Sequence, residues 1–313
     1  MSPAVDALVM GGASILLFGA CRLAERGAGA AALSSAWDGV AVVVAALNGA
    51  HFAATSWRLY RSREAMARFP LTAALVPAAV LAGVAASFAW PLAVAPHFVK
   101  LFLLWSPYHY SGQTVGLSVL YARRAGTDYA PLERRALSAF VFGTFLLSVA
   151  RAEVQLNRFD YLGIAYPSLG LPPWVATAFL AATALAGTAF LALVLRRRAA
   201  LPALAFVPPA AQLVWFFWGP SSALYYPLVP MFHGAQYLFV SWFLHVQERR
   251  QEGAPASAVP LDSARWAGGS LAGYVLLFLA LPKLLSAATG TSFLFATAIF
   301  TGASSSTTSS STA

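Results

Sequence analysis

Three histidines could do chemistry in this chain. They are His51 in ALNGAHFAATSW, His109 in WSPYHYSGQTVG and His233 in VPMFHGAQYLFV, each inside a long apolar stretch almost free of charge. A protonatable ring in hydrocarbon costs several kcal/mol unless it is partnered, so an intramembrane histidine marks a functional site by default. Neutral imidazoles without thiolates suit iron, zinc or copper, and three of them leave coordination positions open, as a catalytic metal site requires. A single cysteine, Cys21, excludes a multi-cysteine metal site and an internal disulfide framework. Haem held between two facing histidines on different helices is a further option for the same residues.

Polar neighbours share helix faces with these rings. Gln113 follows His109 by one helical turn, Gln236 follows His233 by one turn, and Asn48 precedes His51 by one turn. Such amides can orient imidazoles through their free N–H groups or hold the polar head of a substrate. Tyr108 adjoins His109. Glu153, in LSVARAEVQLNRFD, either forms an ordinary interfacial pair with Arg151 or turns inward to a histidine while Arg151 reaches the headgroups. The candidate metal ligands are therefore His51, His109 and His233, and the candidate catalytic side chains are Gln113, Gln236, Tyr108 and Glu153. Pro107 and Pro230 stand just before two of the histidines, where a proline frees a backbone carbonyl and opens space in a helix. His97 and His245 lie near span ends and are set aside.

Positioning these residues requires membrane helices. Of 313 residues, 59% are hydrophobic and 10% charged, far below the roughly 25% charged of a soluble domain. Hydropathy predicts an all-α, polytopic integral membrane bundle of about nine transmembrane helices, near residues 4–24, 38–60, 70–90, 97–122, 136–154, 173–195, 201–220, 226–247 and 266–288. A shorter apolar piece, 292–301, is too short to span. The segment QEGAPASAVPLDSARW reads as a flexible loop. Arginines concentrate after the second, fourth, sixth and eighth spans, in RLYRSREAMARF, YARRAGTDYAPLERR, RRRAA and QERRQE. By the positive-inside rule the amino terminus is cytoplasmic. The first apolar stretch lacks a basic leader region and is expected to be a retained helix. The formal charge of +9 is spread over helix ends rather than one basic face, so membrane lipids and not nucleic acid are the expected partners. The expected location is a bacterial cytoplasmic (inner) membrane.

One domain is expected over 1–302, followed by a disordered Ser/Thr-rich tail, 303–313. Serine and threonine codons read two bases later permit a pattern such as HHFxxDG over the run from Ser304 to Ala313. That run is thus compatible with a frame shift in a longer protein, which the gene's nucleotide sequence decides. Clustered HxxxH and HxxHH boxes, phosphate-cradling glycine loops and a GxSxG elbow are absent from the sequence.

In size, span count and intramembrane histidines the chain resembles bacterial carotenoid-cleaving membrane oxygenases. That resemblance implies a metal-dependent oxygenase acting on a lipophilic small molecule that enters from the bilayer, and it transfers no individual residues. Two other readings use the same features. A transporter would use the His/Gln/Tyr cluster as a substrate site at mid-depth. A membrane scaffold or assembly protein would bond each histidine to a neighbouring carbonyl and do no chemistry.

Overall fold

A computed structural model describes residues 3–154, 159–197, 199–221 and 225–307. Those residues are almost wholly helical. A short α1 (Pro3–Ala7) leads through a π-helical turn at Leu8–Gly12 into α2 (Ala13–Tyr60). Then come α3 (Arg63–Arg68), α4 (Val76–Ala89), α5 (Ala95–Arg124) and α6 (Pro131–Glu153). A hairpin of β1 (Phe159–Tyr161) and β2 (Ile164–Tyr166) precedes α7 (Pro173–Leu195). The remaining helices are α8 (Val207–Leu213), α9 (Tyr225–Gln251), α10 (Val259–Tyr274), α11 (Leu281–Thr289) and α12 (Phe293–Thr307).

Five described helices are long and apolar enough to cross a membrane: Ala4–Gly27, Leu71–Ala89, Pro131–Glu153, Pro173–Leu195 and Ala256–Thr289. Their side chains are mostly on the outside of the bundle, as expected where lipid rather than water is the solvent. The chain is a membrane protein. The three histidine-bearing segments are not among these five. They are more polar and carry the buried histidines.

Helical backbone runs through all of α2, yet this is not one straight rod. A straight helix of 48 residues would extend roughly 72 Å. The chain that leads into it, however, begins at the end of the bundle where α2 finishes. Asp6 is 3.9 Å from Arg124, whose guanidinium lies over Phe243, and Arg58 and Arg61 both reach Glu248, only five residues further along α9. Met10 meets Gln236 and Phe18 meets Trp215, so the first leg climbs as α9 descends. From residue 43 on, the second leg runs parallel to α5 and α9. The first leg lies within the apolar helix Ala4–Gly27.

Three of the π-helical turns end beside a proline: Leu71–Leu75 before Pro77, Val214–Trp218 before Pro220, and Val275–Ala280 before Pro282. A proline supplies no N–H to the turn before it, and a widened turn is one accommodation. The last of these joins α10 and α11 into one continuous run. The expected flexible loop is accordingly shorter than the sequence suggested. Helix α10 already begins at Val259, anchored where Arg249 contacts Asp262 at 3.0 Å and Trp242 donates to Ser263 at 2.9 Å. The short apolar piece near 292–301 becomes α12, packed on α4 and α5 with Ala296, Ala298 and Ile299 fully buried. Its backbone is helical through Thr307, and residues 308–313 of the expected tail lie outside the described residues.

One glycine sets the spacing at the centre. A Cβ on Gly234 would lie 3.0 Å from the Leu47 carbonyl oxygen and 3.2 Å from the Asn48 Cα. Those are backbone atoms and cannot rotate away. Gly234 therefore lets α9 approach the second leg of α2 beside His233 and His51. Gly234→Val is expected to cost about 1–3 kcal/mol by overpacking. It also pushes the two histidines apart, so thermal unfolding and metal content of the purified variant should both fall.

Candidate metal centre

His51, His109 and His233 converge. Each can offer one ring nitrogen such that all three lie within 4.8 Å of one another. The rings are 0%, 5% and 5% exposed. His233 stands edge-on to the other two, with centroids 4.9 Å from His51 and 4.8 Å from His109, while His51 and His109 lie nearly parallel at 6.2 Å. Three parallel segments carry them: the second leg of α2, α5 and α9. Because all three descend together, residues at matching depth meet without any long side chain having to bridge.

Four of the six ring nitrogens lack partners among the described residues. Both nitrogens of His51 and the Nε2 atoms of His109 and His233 are buried with no hydrogen bond among the described residues. An unsatisfied buried donor or acceptor costs about 1–3 kcal/mol. Four such atoms in one cluster are hard to reconcile with a purely structural role. A shared ion removes that cost for three of them at once. Tetrahedral nitrogens around zinc at 2.0–2.1 Å are about 3.3 Å apart, so the rings would have to draw together from their spacing of up to 4.8 Å to share an ion.

The two glutamines enter the cluster differently from expectation. Gln113 Nε2 donates to Gln236 Oε1 at 3.1 Å and weakly to the His233 carbonyl at 3.4 Å, and Gln236 Nε2 donates to the Met10 carbonyl at 2.8 Å. They tie α5, α9 and the first leg together beneath the histidines, and neither bonds a ring nitrogen. Asn48 Oδ1 is buried without a partner among the described residues. Two tyrosines pack on the rings instead. Tyr237 stands 4.3 Å from His51, and Tyr110 lies 4.2 Å from His233.

Tyr108 and Glu153 are not brought to the histidines. Tyr108 is 45% exposed and packs on Phe142 and Phe145 of α6. One residue along a helix is a rotation of about 100°, so a neighbour of an inward histidine points elsewhere. Glu153 is buried but pairs with Lys100, and its second oxygen accepts from the Leu169 N–H at 2.7 Å. Arg151, placed by expectation among headgroups, donates to the Phe217 carbonyl at 3.0 Å and lies over the Phe217 ring.

Sequence reasoning missed two polar residues here. Lys100 lies in HFVKLFLLW, and only its position within a span could have drawn attention to it. Gln212, in VPPAAQLVW, is buried on α8 and donates to Ser111 Oγ at 2.9 Å, the Val141 carbonyl at 2.9 Å and Thr144 Oγ1 at 3.0 Å. It clamps α5 to α6 two residues from His109. Gln212→Leu is expected to destabilise the protein by about 1–3 kcal/mol, read from thermal unfolding in detergent.

Cavities lie on both axial sides of the cluster. One, of about 160 Å³, reaches from Asn48, Tyr110 and Pro230 to Lys100, Glu153 and Thr301. Its far wall carries Tyr161 and Tyr166, delivered by the hairpin, whose two-residue turn puts Leu162 and Gly163 at positive φ. Burial pushes the Tyr161 phenol up to about 12, against a smaller downward effect of its bond to Thr301, so it presents a neutral hydroxyl there. Pro107 and Pro230 line this space, as their position before the histidines suggested. The other cavity, about 460 Å³, runs from Gln113 and Tyr237 to Arg58, Arg61 and Ser62 at the arginine-rich end. No family model, curated protein or solved structure matches this chain.

Proposed function

We propose that the protein is a polytopic membrane metalloenzyme in which His51, His109 and His233 hold one non-haem divalent ion, of iron, zinc or copper. The observation that carries this reading is the set of buried, unpartnered ring nitrogens from three helices within 4.8 Å. The ion would act as a Lewis acid or oxygen activator on a lipophilic small molecule. Haem is disfavoured because a porphyrin needs an open slab between two axial imidazoles, and here the third imidazole packs against both. The scaffold reading expects each ring to bond a local carbonyl, and these nitrogens have no such bond among the described residues.

In this reading the chain crosses a bacterial cytoplasmic membrane about nine times, with its amino terminus inside. Alternation of helix direction supports it. Asp6, Arg58, Arg61, Arg124, Glu133, Arg197 and Glu248 gather at one end, whereas Lys100 and Glu153 lie toward the other. An arginine-rich end belongs in the cytoplasm.

The deciding experiment is elemental analysis of the full chain, purified in detergent from cells supplied with iron, zinc and copper. About one equivalent of a transition metal per chain is expected for a mononuclear site. Absence of any such metal removes the reading. A transporter is the second reading, favoured by the cavities on opposite sides of the polar cluster. Metal-free protein that exchanges a solute across liposomes would establish it.

A further inference from the structure

A charged pair remains that metal binding does not use. Lys100 and Glu153 are 7% and 5% exposed, on neighbouring helices near the outer end of the bundle. A buried ion pair contributes little net stability compared with apolar residues of the same size. In a membrane protein such residues mark pathways and ligand sites. This pair lines the same cavity that reaches Tyr110, whose ring lies against His233.

From this placement we infer that the cavity takes an elongated lipophile ending in a neutral oxygen group, a hydroxyl first and a carbonyl second, with that end held by Lys100 and Glu153. The inference rests on the metalloenzyme reading for the identity of the reacting centre. The chemistry of the pair sets the end group. One N–H of the ammonium goes to Glu153, and the ammonium also lies 5.3 Å from the Tyr166 ring centre. A hydroxyl can accept from the ammonium and donate to the carboxylate. A carbonyl can only accept, and a hydrocarbon end does neither. A carboxylate end would set a second anion beside Glu153, and an amine a second cation beside Lys100.

Position sets the length. His109 is nine residues beyond Lys100 on α5, a rise of roughly 13 Å. A lipophile reacting at the cluster would therefore span about that distance from its polar end, reaching past the cavity itself, whose lining includes Tyr110 but none of the three histidines. The walls between are mainly apolar and aromatic, among them Leu103, Val149 and Phe216, with Ser106 and Ser148 interspersed. A cavity of about 150 Å³ holds a benzene ring. The 160 Å³ found here suits one ring or an equivalent length of chain, with the rest of a longer molecule extending beyond it.

The test compares parinaric alcohol, parinaric acid and the matching hydrocarbon tetraene on the purified full chain. Binding is read by energy transfer from tryptophan. The alcohol is expected to bind at least about tenfold tighter than the hydrocarbon, as hydrogen bonds to charged partners allow, and the acid more weakly than the alcohol. In the K100M/E153Q double variant the preference should shrink to about twofold or less, with hydrocarbon binding and metal content unchanged. Equal binding of alcohol and hydrocarbon by the unaltered protein overturns the inference, and that arm needs no variant to fold. A preference that survives in the double variant overturns it too. Metal-free protein that still prefers the alcohol overturns the metalloenzyme reading and leaves the end-group site standing.

Discussion

His109→Ala is expected to strip the protein of its metal. His51→Ala and His233→Ala should do the same, because each removes one of only three ligands and no carboxylate or thiolate belongs to the cluster among the described residues. Losing a residue that merely orients a ligand costs about 10–100-fold in metal affinity. Losing a ligand should exceed that, so elemental analysis should fall from about one equivalent to below a tenth. His245→Ala is the matched control. His245 sits on α9 beyond the cluster, over the Trp266 ring, and its replacement should leave the metal in place. Retention of stoichiometric metal in all three alanine variants would mean that the ion lies elsewhere.

Stability provides a second readout of opposite sign. Metal-free, the cluster is a liability, since each unpaired buried nitrogen costs about 1–3 kcal/mol. His51→Leu replaces a fully buried ring by an apolar side chain and deletes two of these atoms. Its metal-free form should melt no lower than metal-free unaltered protein, while the unaltered protein gains stability on adding metal and the variant does not. A variant that is less stable than the unaltered protein only when metal is absent would contradict this account.

Lys100→Met should be the most destabilising single change in the half of the bundle away from the arginine-rich end. It leaves the Glu153 carboxylate buried without its cation, and breaking a buried pair on one side costs about 3–5 kcal/mol. Glu153→Gln should cost less, because the amide oxygen of the new side chain could still accept from the Leu169 N–H that now bonds the carboxylate. The double variant K100M/E153Q should recover most of the loss, since no charge then remains buried. Thermal unfolding of the four proteins in one detergent measures the coupling directly. Additive effects, with the double variant worse than either single, would mean that the two side chains do not share a dry site.

The legible part of the site was the part governed by helix periodicity. Gln113 and Gln236 lie one turn from their histidines and do join the cluster region, because such residues share a face. Tyr108, adjacent to His109, points to the α6 aromatics for the same reason. Glu153 was recognised as unusual, but its partner is 53 residues away on another helix, and no local pattern connects them. Gln212 and Gly234 were silent in sequence. Their importance comes from what a neighbouring helix places against them.

Hydropathy, charge distribution and the location of three histidines in apolar stretches are properties of the chain itself. They determined that the protein lies in a membrane, that it is helical and that its polar centre involves those rings. Each follows from the cost of putting polar groups into hydrocarbon, which is incurred residue by residue. Which helices lie side by side is a different matter. Three parallel segments meeting at one depth, Lys100 finding Glu153, and a cavity reaching from that pair to Tyr110 beside His233 all depend on packing between elements distant in sequence. Lipid is equally apolar on every side of a helix, so hydrophobicity alone does not choose its neighbours. Close approach at small residues and a few buried polar contacts make that choice, and they exist only once the bundle has assembled.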